Sequence, residues 1–283
     1  MSWTTCANAR GGGGRGDEMD TIMGALRGAF TIWLRDLLRF SRDRARLVSS
    51  LGQPLLFLLL FGGGFSAAIS GLGAGELDYT QFLFPGILAM TVLFTAVFSA
   101  VSIVWDREFG FLKEVMVAPV SRIAVAAGKV AGGSTVALLQ GIVILVLAPF
   151  LGIQIQLGTM VPLIGILLLL AVMMTSLGLL LAARQRTMEG FHMMMNFLLL
   201  PMFFLSGAFF PLEGVPVWVH VVASIDPVTY GVDPLRQIVL GGQLSNQALD
   251  AIALHPIGLN VLLMIGLAAL FLIPGVWLFS KQE

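Results

Sequence analysis

Charge is what this sequence has least of: 11% of its 283 residues are charged, 57% are hydrophobic, and the mean hydropathy is positive. A soluble domain needs more polar surface, so the composition selects a membrane protein. The few charges cancel, sixteen basic against sixteen acidic, and that balance predicts neither a nucleic-acid partner nor a polyanionic substrate. Cysteine occurs once, as Cys6, which excludes an intramolecular disulfide. The only Gly-Lys pair, Gly128-Lys129, is followed by Val130 and has Ile123 where a phosphate loop places its first glycine. A nucleotide site of that type is therefore excluded. His192, His220 and His255 are scattered, without HExxH or a carboxylate at ligand spacing, and no serine sits in GxSxG. Catalysis by this chain is not expected.

What is abundant is long apolar sequence. A membrane-crossing helix needs roughly 20 mostly apolar residues, and six segments qualify: 47–67, 82–104, 125–151, 160–183, 191–211 and 257–280. The first is diluted by Gln53, Pro54 and the glycines at 62 to 64. Six alternating crossings place fifteen of the sixteen basic residues on one side and leave Arg236 alone on the other. The positive-inside rule then puts both termini in the cytoplasm. Lys129 is expected at the membrane edge, its stem buried and its ammonium reaching outward to water.

Ahead of these spans, residues 1–18 are Gly-rich and aperiodic, which reads as a disordered tail. They lack the apolar core of a secretory signal. Residues 20–46 differ: Ile22, Leu26, Ala29, Trp33, Leu37 and Phe40 share a helical face, and Arg27, Arg35, Arg39, Arg42 and Arg46 lie opposite. This pattern predicts an amphipathic helix in the headgroup layer.

The segment 102–122, "SIVWDREFGFLKEVMVAPVSR", carries six charges between two spans. Burying six charges in a bilayer would cost of order 15–20 kcal/mol, so the segment stays outside, in the cytoplasm. Trp105, Phe109, Leu112 and Met116 form a narrow stripe on it, and Pro119 should end the helix near Ala118. Such a stripe can be buried by another protein.

Three stretches carry a family resemblance: "REFGFLKEVMVAPVSRIAVAAGK" (107–129), "FLFPGILAM" (82–90) and "LSGAFFPLEGVPVWVHVVASIDPVTYGVDPLRQIVLGG" (205–242). Over residues 20–280 the chain resembles the ABC-2 type transporter permeases, most closely the daunorubicin-resistance branch of bacterial drug exporters. The resemblance implies an all-α fold: six transmembrane helices in one domain, 19–283, with an interfacial N-terminal helix, a cytoplasmic coupling helix and re-entrant helices on the outer side within 212–245. It implies that Trp105, Arg107, Glu108, Phe109, Gly110, Leu112, Glu114, Met116 and Pro119 contact a separate ATPase subunit, which would hold ATP and magnesium. Glu108, Gly110, Glu114 and Pro119 are the matched motif positions. It further implies a second permease copy or paralogue and a place in the bacterial inner membrane. Two positions depart from the family pattern: Asp226 stands before Pro227 where a neutral polar residue is expected, and Pro234 interrupts "DPLR".

The cargo expected from the charge-poor spans is a lipophilic or amphipathic compound such as a drug, antibiotic or lipid, moved outward. The Met-rich run "HMMMNF" has thioethers and an imidazole that suit Cu(I), but consecutive helical residues do not face one site. Adaptable packing beside a transport path fits better, with Met194, Asn196 and Met202 as candidate path residues. The rivals are a polysaccharide or glycolipid exporter of the same family and an ion-coupled secondary transporter. The latter requires mid-membrane ionisable groups and an internal repeat, and neither is found.

Overall fold

The computed structural model of the chain describes residues 14–64, 79–108, 121–153, 155–212, 214–242, 249 and 252–281, without the side chains of 14–22, 44–47 and 49. Every regular element among them is helical: α1 (Gly14–Arg42), α2 (Arg44–Phe57, continuing as a π-helix over Leu58–Gly63), α3 (Tyr79–Ser99), α4 (Val101–Glu108), α5 (Arg122–Leu147), α6 (Met160–Ala182), α7 (Met188–Leu205), α8 (Val217–Ile225), α9 (Thr229–Leu240) and α10 (Ile257–Ser280). The expected all-α class is therefore observed.

Among the described residues, five helical segments are long and apolar enough to cross a membrane: Tyr79–Glu108, Arg122–Leu151, Leu157–Ala182, Met188–Leu205 and Ile257–Ser280. The expected first span corresponds to α2 and its π-helical extension, where the apolar stretch Ser50–Gly63 is shorter than the other five. The expected fifth span, 191–211, is cut short. It ends at Leu205, and Gly207 then takes a left-handed turn at φ 78° that a side chain would strain. α3, α5 and α6 pack around one core that includes Leu83, Ile87, Leu93, Ile144, Leu167 and Leu170, and α10 packs on α6.

Helix α1 includes residues 14–18, read from composition as tail, and stops at Asp43, whose N–H bonds the Phe40 carbonyl, instead of running to 46. Its apolar residues do not share a single face. Ala29, Trp33, Leu37 and Phe40 are half-buried or buried, whereas Leu26 lies on an exposed stripe with Met23, Phe30, Leu34 and Leu38. The protein takes the first face because α1 lies along α5. The second stays exposed, beside the arginines at 27, 35 and 39.

At the opposite end of the bundle, α8 and α9 form the two short helices between α7 and α10. Arg236, the lone basic residue of that side, is buried; its guanidinium donates to the carbonyls of Gly207 at 2.6 Å and Ala208 at 3.4 Å and lies 4.0 Å from the Phe82 ring centre. Tyr79, Phe82 and Gly86 fall on one face of α3, and this face receives the turn. The Tyr79 hydroxyl donates to Phe209 O at 3.0 Å, and a Cβ at Gly86 would stand 2.6 Å from Ala208 O. Burial lowers the Arg236 pKa to about 10, with the Asp233 charge opposing, so it remains a cation at neutral pH. Asp233 in turn accepts the backbone N–H groups of Leu254 and His255 and, at 2.7 Å, the Asn260 amide, anchoring the entry to α10.

Both departures from the family pattern find a local explanation here. Pro234 lies inside α9 without ending it, and the Asp226 carboxylate closes a turn by accepting the Val228 N–H at 2.9 Å. The other Asp226 oxygen is buried without a partner among the described residues, and desolvation raises this carboxyl to about 7. A carboxyl raised in the folded state binds a proton there that the unfolded chain has already released. Stability should therefore fall as pH rises from about 4 to about 7. Asp226→Asn keeps the acceptor, and its thermal unfolding curves should lose that slope and exceed the parent's above pH 7. An unchanged slope would remove Asp226 as its source.

Candidate coupling site

At the arginine-rich end, the four last residues of α4 point in four directions, because successive helical residues are 100° apart. Trp105 faces outward and is 46% exposed. The Asp106 carboxylate lies 3.6 Å from the Lys129 ammonium on α5 and 3.8 Å from the Arg35 guanidinium on α1. Arg107 donates to the carbonyls of Ala182, Ala183 and Gln185, where α6 ends. Glu108 accepts the Met188 N–H at 2.8 Å, where α7 begins. A cation on a helix C-terminus and an anion on a helix N-terminus each match the local dipole and satisfy backbone groups that the helices cannot. One short helix is thus fastened to α1, α5, α6 and α7 by its own charges.

The centre of this arrangement is Lys129. Its ammonium does not reach out to water as expected from sequence; the residue is 7% exposed and the ammonium contacts Asp36 at 3.4 Å, Asp106 at 3.6 Å and the Ser102 hydroxyl at 2.8 Å. Arg35 closes the set at 3.6 Å from Asp36. Two cations and two carboxylates neutralise one another, which is the condition for keeping such groups out of water.

Asp36 reaches Lys129 because α1 approaches α5 closely, and it does so at two glycines four residues apart. A Cβ on Gly128 would be 2.7 Å from Ala29 O, and one on Gly132 would be 3.2 Å from the Asp36 Cβ. Trp33 adds a hydrogen bond to the Thr135 hydroxyl at 3.0 Å one turn further along. Sequence reasoning took Gly128-Lys129 as a motif pair and missed this spacing. The signal was present as "GKVAG", but its partner helix was not.

Of the nine residues expected to meet an ATPase, Trp105, Arg107 and Glu108 are placed as above. Phe109, Gly110, Leu112, Glu114, Met116 and Pro119 lie outside the described residues. The candidate path residues do not converge. Met194 and Met202 are half-buried, with the Met194 sulfur accepting from the Gln185 amide at 3.3 Å, while Asn196 is exposed on the other side of α7. Among the described residues no three His, Cys, Asp or Glu side chains are grouped as metal ligands.

Comparison with known proteins agrees with this architecture. Residues 27–240 match the family described as ABC-2 type transporter. The transport permease ycf38 of Cyanophora paradoxa is 31% identical over 209 residues, 73% of this chain and 72% of that protein. Nodulation protein J of Rhizobium leguminosarum bv. trifolii is 27% identical over 80% of this chain and 86% of its own length. The inner membrane transport permease YadH of Escherichia coli (strain K12) is 27% identical over 75% of this chain and 82% of its own. With the matched region running from within α1 to the end of α9, the chain belongs to the ABC-2 type transporter family.

Proposed function

We propose that this chain is the non-catalytic membrane subunit of an ATP-driven exporter, paired with a second permease copy or paralogue and driven by a separate ATPase subunit. Its termini face the cytoplasm, and its cargo is a lipophilic or amphipathic compound moved outward across a bacterial inner membrane. The observation that carries this reading is the fastening of α4. The segment expected to touch the ATPase begins on this helix, and its root is tied by charged groups to four other helices, so a displacement there is delivered to the bundle. Nucleotide-driven export needs such a link, because ATP can bias the membrane domain only through contacts that differ between its two conformations.

Co-reconstitution with an ATPase encoded beside this chain tests it. Arg107→Leu removes the contact to the end of α6. The variant should insert and bind the ATPase, retain ATP hydrolysis, and lose most ATP-dependent efflux of a lipophilic dye from inverted vesicles. Parental efflux in that variant would refute coupling through α4, and failure of the parent chain to bind any such ATPase would refute the subunit assignment itself.

A further inference from the structure

Two cavities lie within the single chain between α1, α2, α3, α4 and α5, and they share Phe40 and Phe98 in their walls. The one at the arginine-rich end, of about 280 Å³, is bordered by Asp36, Arg39, Ser102 and Trp105. The inner one, of about 190 Å³, runs past Pro54, Met90 and Phe94 to Gln140. They adjoin at these two phenylalanines as a groove in two parts, whose summed size of about 470 Å³ falls within the ~300–1,000 Å³ usual for ligand pockets. We propose that this groove holds one acyl chain of an anionic phospholipid from the leaflet at the arginine-rich end, with the headgroup phosphate on Arg39.

Charge at the mouth selects the headgroup. Asp36, Asp106, Lys129 and Arg35 cancel as a set, leaving exposed Arg39, which has no ion pair among the described residues, as the net positive charge of the rim. A zwitterionic headgroup gains less from a single cation than an anionic one does. The groove interior selects hydrocarbon. Most of its polar groups are already bonded, Thr95 to Gln140, Gln140 to Ser50, and Thr91 to the Ile87 carbonyl, while Gln53 lies exposed in the wall. None of the buried polar atoms without a partner among the described residues lies in its walls. Such an interior asks for few hydrogen bonds from a ligand and presents Phe40, Met90, Phe94 and Phe98 to a methylene chain. The exposed stripe of α1, Met23 to Leu38, is an apolar surface on the same helix as Arg39, against which acyl chains would lie.

The test uses the full chain in phosphatidylcholine nanodiscs doped with phosphatidylglycerol or phosphatidylcholine carrying the same diazirine-bearing acyl chain, with labelled peptides mapped by mass spectrometry. Phosphatidylglycerol should label peptides containing residues 90–98 and 132–140 more than phosphatidylcholine does. Arg39→Gln should cut that labelling about fivefold, the factor one basic contact to an anionic surface is worth, and leave phosphatidylcholine labelling unchanged. Val101→Phe, at the half-buried rim, should reduce labelling by both. Equal labelling by the two lipids, label confined to outward residues of α10 such as Leu262 and Ile273, or full labelling in Arg39→Gln would each overturn the assignment. Because Arg39 is exposed, its replacement reads binding and not folding.

Discussion

Lys129→Met should lower the stability of this protein by about 3–5 kcal/mol, the range measured when one member of a buried ion pair is removed. Without the ammonium, Asp36 and Asp106, whose side chains are only 17% and 14% exposed, share Arg35 alone at 3.6 and 3.8 Å. Methionine preserves most of the stem volume, so the loss reads charge and not packing. Adding Asp36→Asn and Asp106→Asn to Lys129→Met should recover most of that stability, because no carboxylate is then left uncompensated and the one remaining charge, Arg35, is 43% exposed. Thermal unfolding in detergent, followed by fluorescence, measures all three proteins. If the single variant unfolds with the parent, the four charges do not hold α1 and α4 to the bundle. In the coupled assay, the triple variant separates stability from function: a charge link between α4 and α5 is gone in it even if the fold is restored.

Gly128→Leu should be almost as damaging, through a different term. A Cβ there would meet a backbone oxygen, Ala29 O, at 2.7 Å and the Ile32 Cβ at 3.0 Å, and backbone atoms cannot rotate aside as a side-chain end can. Overpacking of this kind costs about 1–3 kcal/mol. Here α1 must also move off α5, which draws Asp36 away from Lys129. The two losses are therefore not independent, and Gly128→Leu combined with Lys129→Met should cost less than the sum of the single variants. Gly165→Leu and Gly266→Leu serve as controls, since a Cβ at either glycine meets nothing within 4 Å. They should unfold with the parent. Strict additivity of the first pair would mean that α1 keeps its ion pairs when pushed from α5, contrary to the geometry.

How far the sequence reached differs from element to element. The expected spans 160–183 and 257–280 coincide almost to the residue with Met160–Ala182 and Ile257–Ser280, because each is a continuous apolar run ended by polar residues or proline. The span expected to reach 211 ended at Leu205, since hydropathy does not register that a turn at Gly207 is held by Arg236 and admitted by the bare Cα of Gly86. Residues 206–210 are apolar enough to continue a helix. Contacts made from α3 and α9 decide that they do not.

The candidate site was legible in the same uneven way. Trp105, Arg107 and Glu108 could be singled out by the cost of burying charge and by the family resemblance, yet the groups they meet could not be named. Arg107 and Glu108 bind backbone atoms at helix ends, and those ends exist only once α6 and α7 have formed and stand side by side. Lys129 was read as reaching outward because a lone lysine at a membrane edge ordinarily does. Its two carboxylate partners come from α1 and α4.

By itself, then, the sequence determined that the chain is helical and membrane-embedded, which runs are apolar enough to cross, and which family it belongs to, because each follows from local composition or ordered motifs. Only the tertiary structure decided which face of α1 packs on the bundle and which stays exposed, and that Lys129 is the centre of a four-charge lock. These depend on where two helices cross, and crossing is set by contacts between residues far apart in the chain, at Gly128 and Gly132 against Ala29 and Asp36, which no one-dimensional pattern records.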